Sequence, residues 1–381
     1  MRNLFYLSFL GIVYAYFGYP LLMIVISKLK KSKPIQKGAF TPFISIVIPA
    51  YNEEKNIGAK LKDFVNSSYP HDKMEIFVIS DASTDRTNEI VEGFADKGVK
   101  LFKLQERSGK IAAYRKILPI LKGEIIVFSD ATSLISYNSI QNLINNFNDK
   151  SVGCAGGLLV YINPGKATVV GKGEKKYWSY EKRIRDLESS LCSLPSVSGT
   201  LYAVRKNLYP MEMKDYLADD LIVPIKVKKS GYRTVFEREA TCKDYTTTDI
   251  KEEMSKRIRI TAQNLSGLAE ESDILNPFRY GLFSIIIISH KVFRLLVPIF
   301  LILIFIASAI MAYYSTAFLI ILLLQVLFYA VGILGYFINK IIKFSLGNSI
   351  FYFCLSNLSI LLGIAKFIKG TKFATWQTVR V

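Results

Sequence analysis

Histidine is nearly absent from this chain of 381 residues: there are two, His71 in a Tyr-Pro-His-Asp loop and His290 beside an apolar stretch. A Ser-His-Asp triad therefore has almost no material, and any general base is expected to be a carboxylate. Cysteine is also sparse. Cys154, Cys192, Cys242 and Cys354 are scattered, with no Cys-x-x-Cys pair and no histidine nearby, which argues against a disulfide framework or a zinc site. Reduced thiols of that kind fit a cytoplasmic domain. Acidic residues are outnumbered, 31 against 49 Lys and Arg, for a net charge of +18. The chain lacks internal repeats and the cleavage pattern of a secretory signal, so its first apolar run is expected to be a retained anchor.

Long apolar runs are what the sequence has in quantity. Hydrophobic residues make up 51% of it and aromatics 13%, yet 21% are charged, so the two kinds must be segregated along the chain. Leu4–Ser27 is long enough to span a bilayer and is closed by Lys28, Lys30, Lys31 and Lys33. Leu295–Ala312 and Ala317–Phe337 read as two further spans, followed by Lys340 and Lys343. Ile350–Ile364 is shorter, carries Ser356 and Asn357 in its middle and precedes Lys366, Lys369, Lys372 and Arg380; a crossing there would place a basic tail outside, so it reads as a weak, re-entrant or interfacial segment. The positive charge is thus mainly a matter of topology and anionic lipid, with no nucleic-acid partner implied. The expected location is the cell membrane, multi-pass, with the catalytic domain cytoplasmic.

Four units follow: residues 1–33 as anchor, 34–248 as cytoplasmic domain, 249–292 as amphipathic interfacial helices and 293–381 as a carboxyl-terminal membrane region. Within the second, strand and helix alternate. Phe43–Ala50, Ile76–Ser80, Val99–Leu104 and Gly123–Ser129 read as strands. Helical spacing falls between them, at Ile57, Leu61, Phe64 and Val65, then at Ile90, Val91 and Phe94, then over Ile111–Leu121. This is an α/β series with a mostly parallel sheet and flanking helices. Beyond Gly153 the pattern loosens, with strands near Gly153–Tyr161 and Ser198–Arg205, a mixed helix near Glu174–Ser190, a short helix opened by Asp219 and Asp220, and an edge strand at Thr234–Phe236. From Asp249 an amphipathic helix carries Lys256, Arg257 and Arg259, as a helix on a bilayer surface would.

Polar residues collect just past the strands: Tyr51, Asn52 and Glu53 after the first, Asp81 after the second, Glu106 and Arg107 after the third, Asp130 after the fourth. The carboxyl ends of parallel strands face the crevice where such sheets bind ligands, which makes Asp130 a candidate metal ligand. Each residue alone also fits a turn or a helix cap, and paired acids such as Asp219 and Asp220 suit a helix start whatever their function.

In order, Ser45-Ile46-Val47-Ile48-Pro49-Ala50-Tyr51-Asn52-Glu53, Ser80-Asp81-Ala82-Ser83-Thr84-Asp85, Gly109-Lys110, Asp130-Ala131-Thr132, Ser198-Gly199-Thr200 and Ala218-Asp219-Asp220 resemble the motifs of the membrane-bound family 2 glycosyltransferases, relatives of cellulose, chitin and hyaluronan synthases. That resemblance implies a GT-A fold, a UDP-sugar donor, and Mg²⁺ or Mn²⁺. By it, Pro49, Tyr51, Glu53 and Asp81 would bind the nucleotide. Lys110 would hold the diphosphate, with Asp130 on the metal and Arg257 or Arg259 assisting. Ser198, Gly199 and Thr200 would face the acceptor, and Asp220, helped by Asp219, would be the base of an inverting transfer to a saccharide or lipid-linked acceptor. Membrane lipids, a homo-oligomer and a polysaccharide-export partner complete the implied partners. Three departures stand out: Thr132 replaces the second Asp of Asp-x-Asp, Ser80 replaces the first Asp of Asp-Asp-Gly-Ser, and Lys256-Arg257-Ile258-Arg259-Ile260 lacks the Gln and Trp of Gln-x-x-Arg-Trp. They keep two alternatives in view, a processive polysaccharide synthase and a non-catalytic nucleotide-sugar-binding partner in a polysaccharide assembly complex.

Overall fold

The computed structural model describes residues 1–30, 33–162, 169–245, 249–338 and 345–375. Lys31, Lys340, Lys343 and Arg380, expected to flank membrane segments, lie outside the described residues. The chain opens with α1 (Arg2–Val13) and α2 (Tyr19–Leu29), joined through a π-helical turn at Tyr14–Gly18 into one apolar helix. Pro20, near the start of α2, has no N–H to give to the preceding turn, which favours such a local widening.

An alternating βα series follows: β1 (Ile44–Ala50), α3 (Ile57–Val65), β2 (Met74–Asp81), α4 (Thr87–Glu92), β3 (Val99–Leu104), α5 (Lys110–Ile117), β4 (Ile125–Phe128), β5 (Leu134–Ile135) and α6 (Ser139–Ile144). Then come β6 (Val152–Ile162), α7 (Val169–Leu191), β7 (Tyr202–Arg205), α8 (Asp219–Lys229) and β8 (Arg233–Tyr245). All eight strands form one sheet in the order β3-β2-β1-β4-β7-β6-β8-β5. The pairs β3–β2, β2–β1, β1–β4 and β6–β8 are parallel, while β4–β7, β7–β6 and β8–β5 are antiparallel. The expected parallel sheet is present, and β1, β2 and β4 are wholly buried because helices cover both faces.

Successive strand residues supply opposite faces. Ile44, Ile46 and Ile48 pack with Ile57, Leu61 and Phe64 of α3 on one side. Val47, Phe77 and Phe128 pack with Ile111, Tyr114 and Ile117 of α5 and with Ile222 and Val223 of α8 on the other. The strand expected at Thr234–Phe236 is longer; that stretch pairs with β6, and β5 pairs only with its far end, at Cys242 and Lys243. Glu237, Arg238 and Glu239 hide its continuation, because the pairing with β6 shifts register between Gly157 and Leu158 and then resumes at Thr241.

Beyond the sheet lie α9 (Ile250–Glu270), α10 (Pro277–Tyr280), α11 (Leu282–Ile287), α12 (Phe293–Ala312), α13 (Thr316–Ile338) and α14 (Ser345–Ile368). Among the described residues, four helices are long and apolar enough to cross a membrane: Arg2–Leu29, Leu282–Ala312, Thr316–Phe337 and Leu346–Ile368. Within the unit 249–292, α11 runs through a π-turn into α12 as one helix, so the boundary expected at 292/293 falls inside a helix. There His290 is buried, with Nε2 2.9 Å from Glu181 and Nδ1 bonded to Glu188 of α7, which fastens the helix to the soluble domain. The weak segment Ile350–Ile364 is the middle of a continuous helix of 24 residues, α14, which packs along α9.

The helix α8 takes its position from both sides. Ile222 and Val223 enter the sheet core, while Leu221 and Ile225 pack with Leu268, Phe283 and Ile287. The amino end of α8 is thereby fixed where the sheet meets the apolar helices.

Candidate active site

The carboxyl ends of β1, β2 and β4 open into a crevice, and the polar residues placed there by sequence pattern are largely brought together. After β1, Asn52 adopts a left-handed conformation (φ 52°). Its side-chain oxygen accepts from the Thr84 N–H at 2.8 Å, and its own N–H donates to Ser83 Oγ at 3.2 Å, so the two strand-end loops are tied. Glu53 is buried; its N–H donates to Thr87 Oγ1 and its carboxylate accepts from Asn56 Nδ2 at 2.7 Å. The guanidinium of Arg107 stacks 3.7 Å from the centre of the Tyr51 ring.

Three of the expected donor-binding residues are placed differently. Pro49 is buried within β1, paired with Ile79, and shapes the strand rather than the crevice surface. Asp81 is fully buried and turns its carboxylate to the loop before α5, accepting from the N–H groups of Ser108 at 2.7 Å and Gly109 at 3.0 Å. Arg257 faces α14: its Nε donates to Glu253 at 2.5 Å, and it bonds and stacks on Tyr352.

Because Asp81 fixes Ser108 and Gly109, Lys110 at the start of α5 is aimed into the crevice. Its ammonium lies 3.1 Å from Asp130 Oδ1 and 3.4 Å from Asp219 Oδ2. Burial opposes the charge, but Asp130 and Asp219 outweigh it and hold the ammonium charged well above the ordinary lysine range. Asp219 also accepts from the Tyr202 hydroxyl at 2.8 Å, which fixes its orientation. The acceptor-side turn closes on the same point. A Cβ built on Gly199 would stand 3.4 Å from Lys110 Nζ and 3.9 Å from Asp130 Oδ2, so a glycine keeps the floor of the crevice open. On either side of it the hydroxyls of Ser198 and Thr200 bond each other at 2.8 Å.

Asp220 follows Asp219 at the start of α8, and its carbonyl accepts from the Val197 N–H at 2.8 Å. Burial, reinforced by the charge on Asp219, pushes its carboxyl up to about 6, against the pull of Lys291, Lys110 and Arg185. Arg259 reaches the cluster from α9. Burial lowers its pKa and Asp220, Asp130 and Asp219 resist that change. Its guanidinium donates to Gln263 at 3.1 Å, and Gln263 donates to the Phe373 carbonyl at 2.9 Å. The tail after α14 thus crosses the site. The Ala374 carbonyl lies 2.2 Å from where a Cβ on Gly109 would be, and Gly109 has φ 87°, so no other residue suits that position.

Among the described residues there is no group of three or more His, Cys, Asp or Glu side chains fit to hold a metal ion. Asp130 is one hard oxygen ligand, with its side chain 37% exposed toward the crevice. That donor set fits a cation of the Mg²⁺ or Mn²⁺ type, which takes one or two carboxylates and completes its shell with phosphate and water. Arg107, Gln263, Tyr202 and the tail were not among the expected site residues. Arg107 stood in a polar cluster past a strand, but nothing in its position told of stacking on Tyr51.

Residues 45–209 match the sequence model of the family described as Glycosyl transferase family 2. The chain is 34% identical over 116 residues to a Beta-monoglucosyldiacylglycerol synthase of Nostoc sp., covering 29% of this chain and 25% of the relative. It is 27% identical over 205 residues to Probable glycosyltransferase YdaM of Bacillus subtilis, covering 51% and 49%. It is also 25% identical over 209 residues to the Poly-beta-1,6-N-acetyl-D-glucosamine synthase of Staphylococcus aureus, covering 52% and 49%. The chain thus spans less than half the length of these curated relatives. Among solved structures, Mannosyltransferase PcManGT from Pyrobaculum calidifontis, in complex with GDP-Man and Mn2+, superposes with a TM-score of 0.71 over 97% of this chain and 100% of that one at 23% identity. The shared fold is GT-A-like, and the glycosyl transferase family 2 match covers residues 45–209.

Proposed function

We propose, starting from this family 2 match, that the chain is an inverting glycosyltransferase anchored in the membrane, moving a sugar from a nucleoside-diphosphate sugar, UDP-sugar first, to a saccharide or lipid-linked acceptor at the cytoplasmic face. One observation carries the reading: Lys110, Asp130, Asp219 and Gly199 meet at one point, with Asp220 next in the chain. A cation, a carboxylate ligand and a base of raised pKa then share a crevice whose floor is open.

Lys110 is suited to neutralise the leaving diphosphate, and Asp219 with Tyr202 holds it in place. Asp130 would hold Mg²⁺ or Mn²⁺, which when bound stabilises negative charge on the diphosphate. Asp220 takes the proton of the acceptor hydroxyl as that oxygen attacks the anomeric carbon opposite the leaving group. In-line attack of this kind inverts the configuration. Arg259 lines the membrane-side wall, and the Tyr51–Arg107 pair offers a flat face to the base. Asp219 accordingly acts through Lys110 as a positioning residue.

The location of the tail supports a membrane topology. Phe373 and Ala374 touch the catalytic crevice, so the chain between Glu270 and Phe373 crosses the bilayer an even number of times. Three candidate helices lie in that interval, and α14 has the lowest mean hydropathy of them, 1.7 against 2.9 and 2.7, and packs along α9. We assign α12 and α13 as a crossing hairpin and α14 as an interfacial helix. The basic tail then stays on the cytoplasmic side, as charge asymmetry favours.

Glycolipid and polysaccharide synthases both stand among the similar proteins. Arg259 without a neighbouring Trp supports single or short additions over a long polymer. Protein in lipid, given Mn²⁺ or Mg²⁺ and a panel of UDP- and GDP-sugars with diacylglycerol, polyprenyl phosphate and oligosaccharide acceptors, should release nucleoside diphosphate and transfer label. Absence of turnover together with tight nucleotide binding would favour the non-catalytic partner instead.

A further inference from the structure

Lys60 is the largest charge that the proposed chemistry leaves unused, and it sits where a charge is costly. It falls at the third step of an apolar stripe on α3, between Ile57 and Leu61, and is 0% exposed. Its ammonium donates to Ser129 Oγ at 2.6 Å, to the Ser133 carbonyl at 2.5 Å and to Ser133 Oγ at 3.1 Å. These acceptors bracket Asp130. Ser129 Oγ in turn donates to the Thr200 carbonyl at 2.6 Å, and Ser133 Oγ lies 3.1 Å from the Asp130 carbonyl and 3.3 Å from that of Thr200. Both hydroxyl protons are therefore committed to carbonyls, and both hydroxyl oxygens must accept from Lys60. Three acceptors around one nitrogen need three N–H groups, which only the ammonium form has.

Burial pulls the Lys60 pKa down, while Cys242, Asp130, Asp63 and Asp244 pull it up. A methionine or leucine would fill the same volume without a desolvation cost, so the lysine is retained against the ordinary logic of a core. Its bonds all fall on Ser129–Ser133, the loop that carries Asp130, and the two serine hydroxyls pass the link to Thr200 of the turn that carries Gly199, just past the last β4–β7 pair, Phe128 with Tyr202. A Cβ on Gly199 would stand 3.9 Å from Asp130 Oδ2, so the two loops meet closely at the crevice floor.

We propose that Lys60 is a positioning residue which locks the Asp130 loop to the Ser198–Thr200 turn, setting the distance between the diphosphate side and the acceptor side of the crevice. This rests on the transferase reading above. It assigns Lys60 no contact with substrate. A chain with Thr132 where a second carboxylate would stand has one protein ligand for its cation, and the position of that ligand matters correspondingly more.

The test uses full-length protein in lipid nanodiscs, with UDP and GDP binding titrated against Mn²⁺ by calorimetry, and melting followed alongside. Lys60→Met should raise the Mn²⁺ concentration for half-maximal nucleotide binding at least tenfold and lower kcat at least tenfold. Ser129→Ala, which cuts the shorter of the two hydroxyl links to Thr200 but keeps the cation, should move both in the same direction by about threefold, and it carries the test if Lys60→Met does not fold. A lower melting temperature with Mn²⁺ dependence and kcat within twofold of wild type would overturn the proposal, leaving a structural lysine. Tighter Mn²⁺ binding in Lys60→Met would overturn it too, since removal of a like charge would then be the whole effect. Wild-type protein that binds neither nucleotide in the presence of Mn²⁺ would instead count against the transferase reading itself.

Discussion

In the proposed chemistry Asp220 is the base, and its half-buried carboxyl, pushed up to about 6, makes two linked predictions. The base must be ionised to work, so turnover should rise with pH through about 6 and level above it. Asp220→Asn should lower kcat by roughly 10²–10⁴, the range for loss of a positioned base, with little change in nucleotide affinity. Stability should move the other way. The folded pKa lies above the unfolded one, so ionising Asp220 costs stability as pH rises from about 4 to about 6, by up to about 3 kcal/mol. Asp220→Asn should therefore be more stable than wild type at pH 7, with the gain vanishing near pH 4, as unfolding midpoints at the two pH values would show. Lys110→Met should weaken nucleoside-diphosphate binding at least tenfold. Lys110 also helps hold the Asp220 pKa down, so the acid limb of any residual activity should shift to higher pH; an unshifted limb would place Lys110 outside the base's field. Asp130 was legible in the sequence because it fell past a predicted strand, whereas Lys110 and Asp220 were singled out by motifs that resemble those of the family 2 glycosyltransferases. Arg107, Lys60 and Gln263 were not. Their partners, Tyr51, Ser129 with Ser133, and the Phe373 carbonyl, are dozens of residues away in the chain, and side-chain type alone does not report such pairing.

At the scale of elements, the contact between α9 and α14 is the wall that holds Arg259 and Gln263 toward the crevice. It is close because Gly363 meets Thr261: a Cβ on Gly363 would stand 2.5 Å from the Thr261 Cβ. Gly363→Leu should push the helices apart, loosen the bond from Gln263 to the tail and reduce nucleotide binding several-fold, with a lower melting temperature. Unchanged binding and melting would mean that the wall does not depend on this contact. Strands β1, β2 and β4 and helix α3 could be read in advance, since continuous apolar runs and 3.6-residue spacing are direct consequences of burial on two faces and on one. The length of β8 could not be, because the register shift admits Glu237, Arg238 and Glu239 into a strand. Helix α14 is longer than the segment Ile350–Ile364 read from the sequence, and Asn357 in its middle donates its side-chain N–H to the Phe353 carbonyl inside the helix.

For the whole molecule, the tail that reaches Gly109 carries the proposed topology, in which the tail and the catalytic domain lie on one side of the bilayer. A cysteine at Thr371 (Thr371→Cys, with the native cysteines replaced) in sealed inside-out vesicles should react with an impermeant maleimide, as would a cysteine placed on the catalytic domain at Lys150. Labelling of the two from opposite sides would refute the assignment of α14 as interfacial. Under the proposed topology the GT-A-like sheet would sit against the membrane through α7, α9 and α11, with the carboxylates where the sheet meets the apolar helices. The most direct test of this account is release of nucleoside diphosphate by wild-type protein and by Asp220→Asn, side by side in lipid with Mn²⁺ and a responsive donor–acceptor pair. Turnover by wild type, and a loss of at least a hundredfold in a variant that still binds the nucleotide, is the result expected; equal turnover by the two would contradict it.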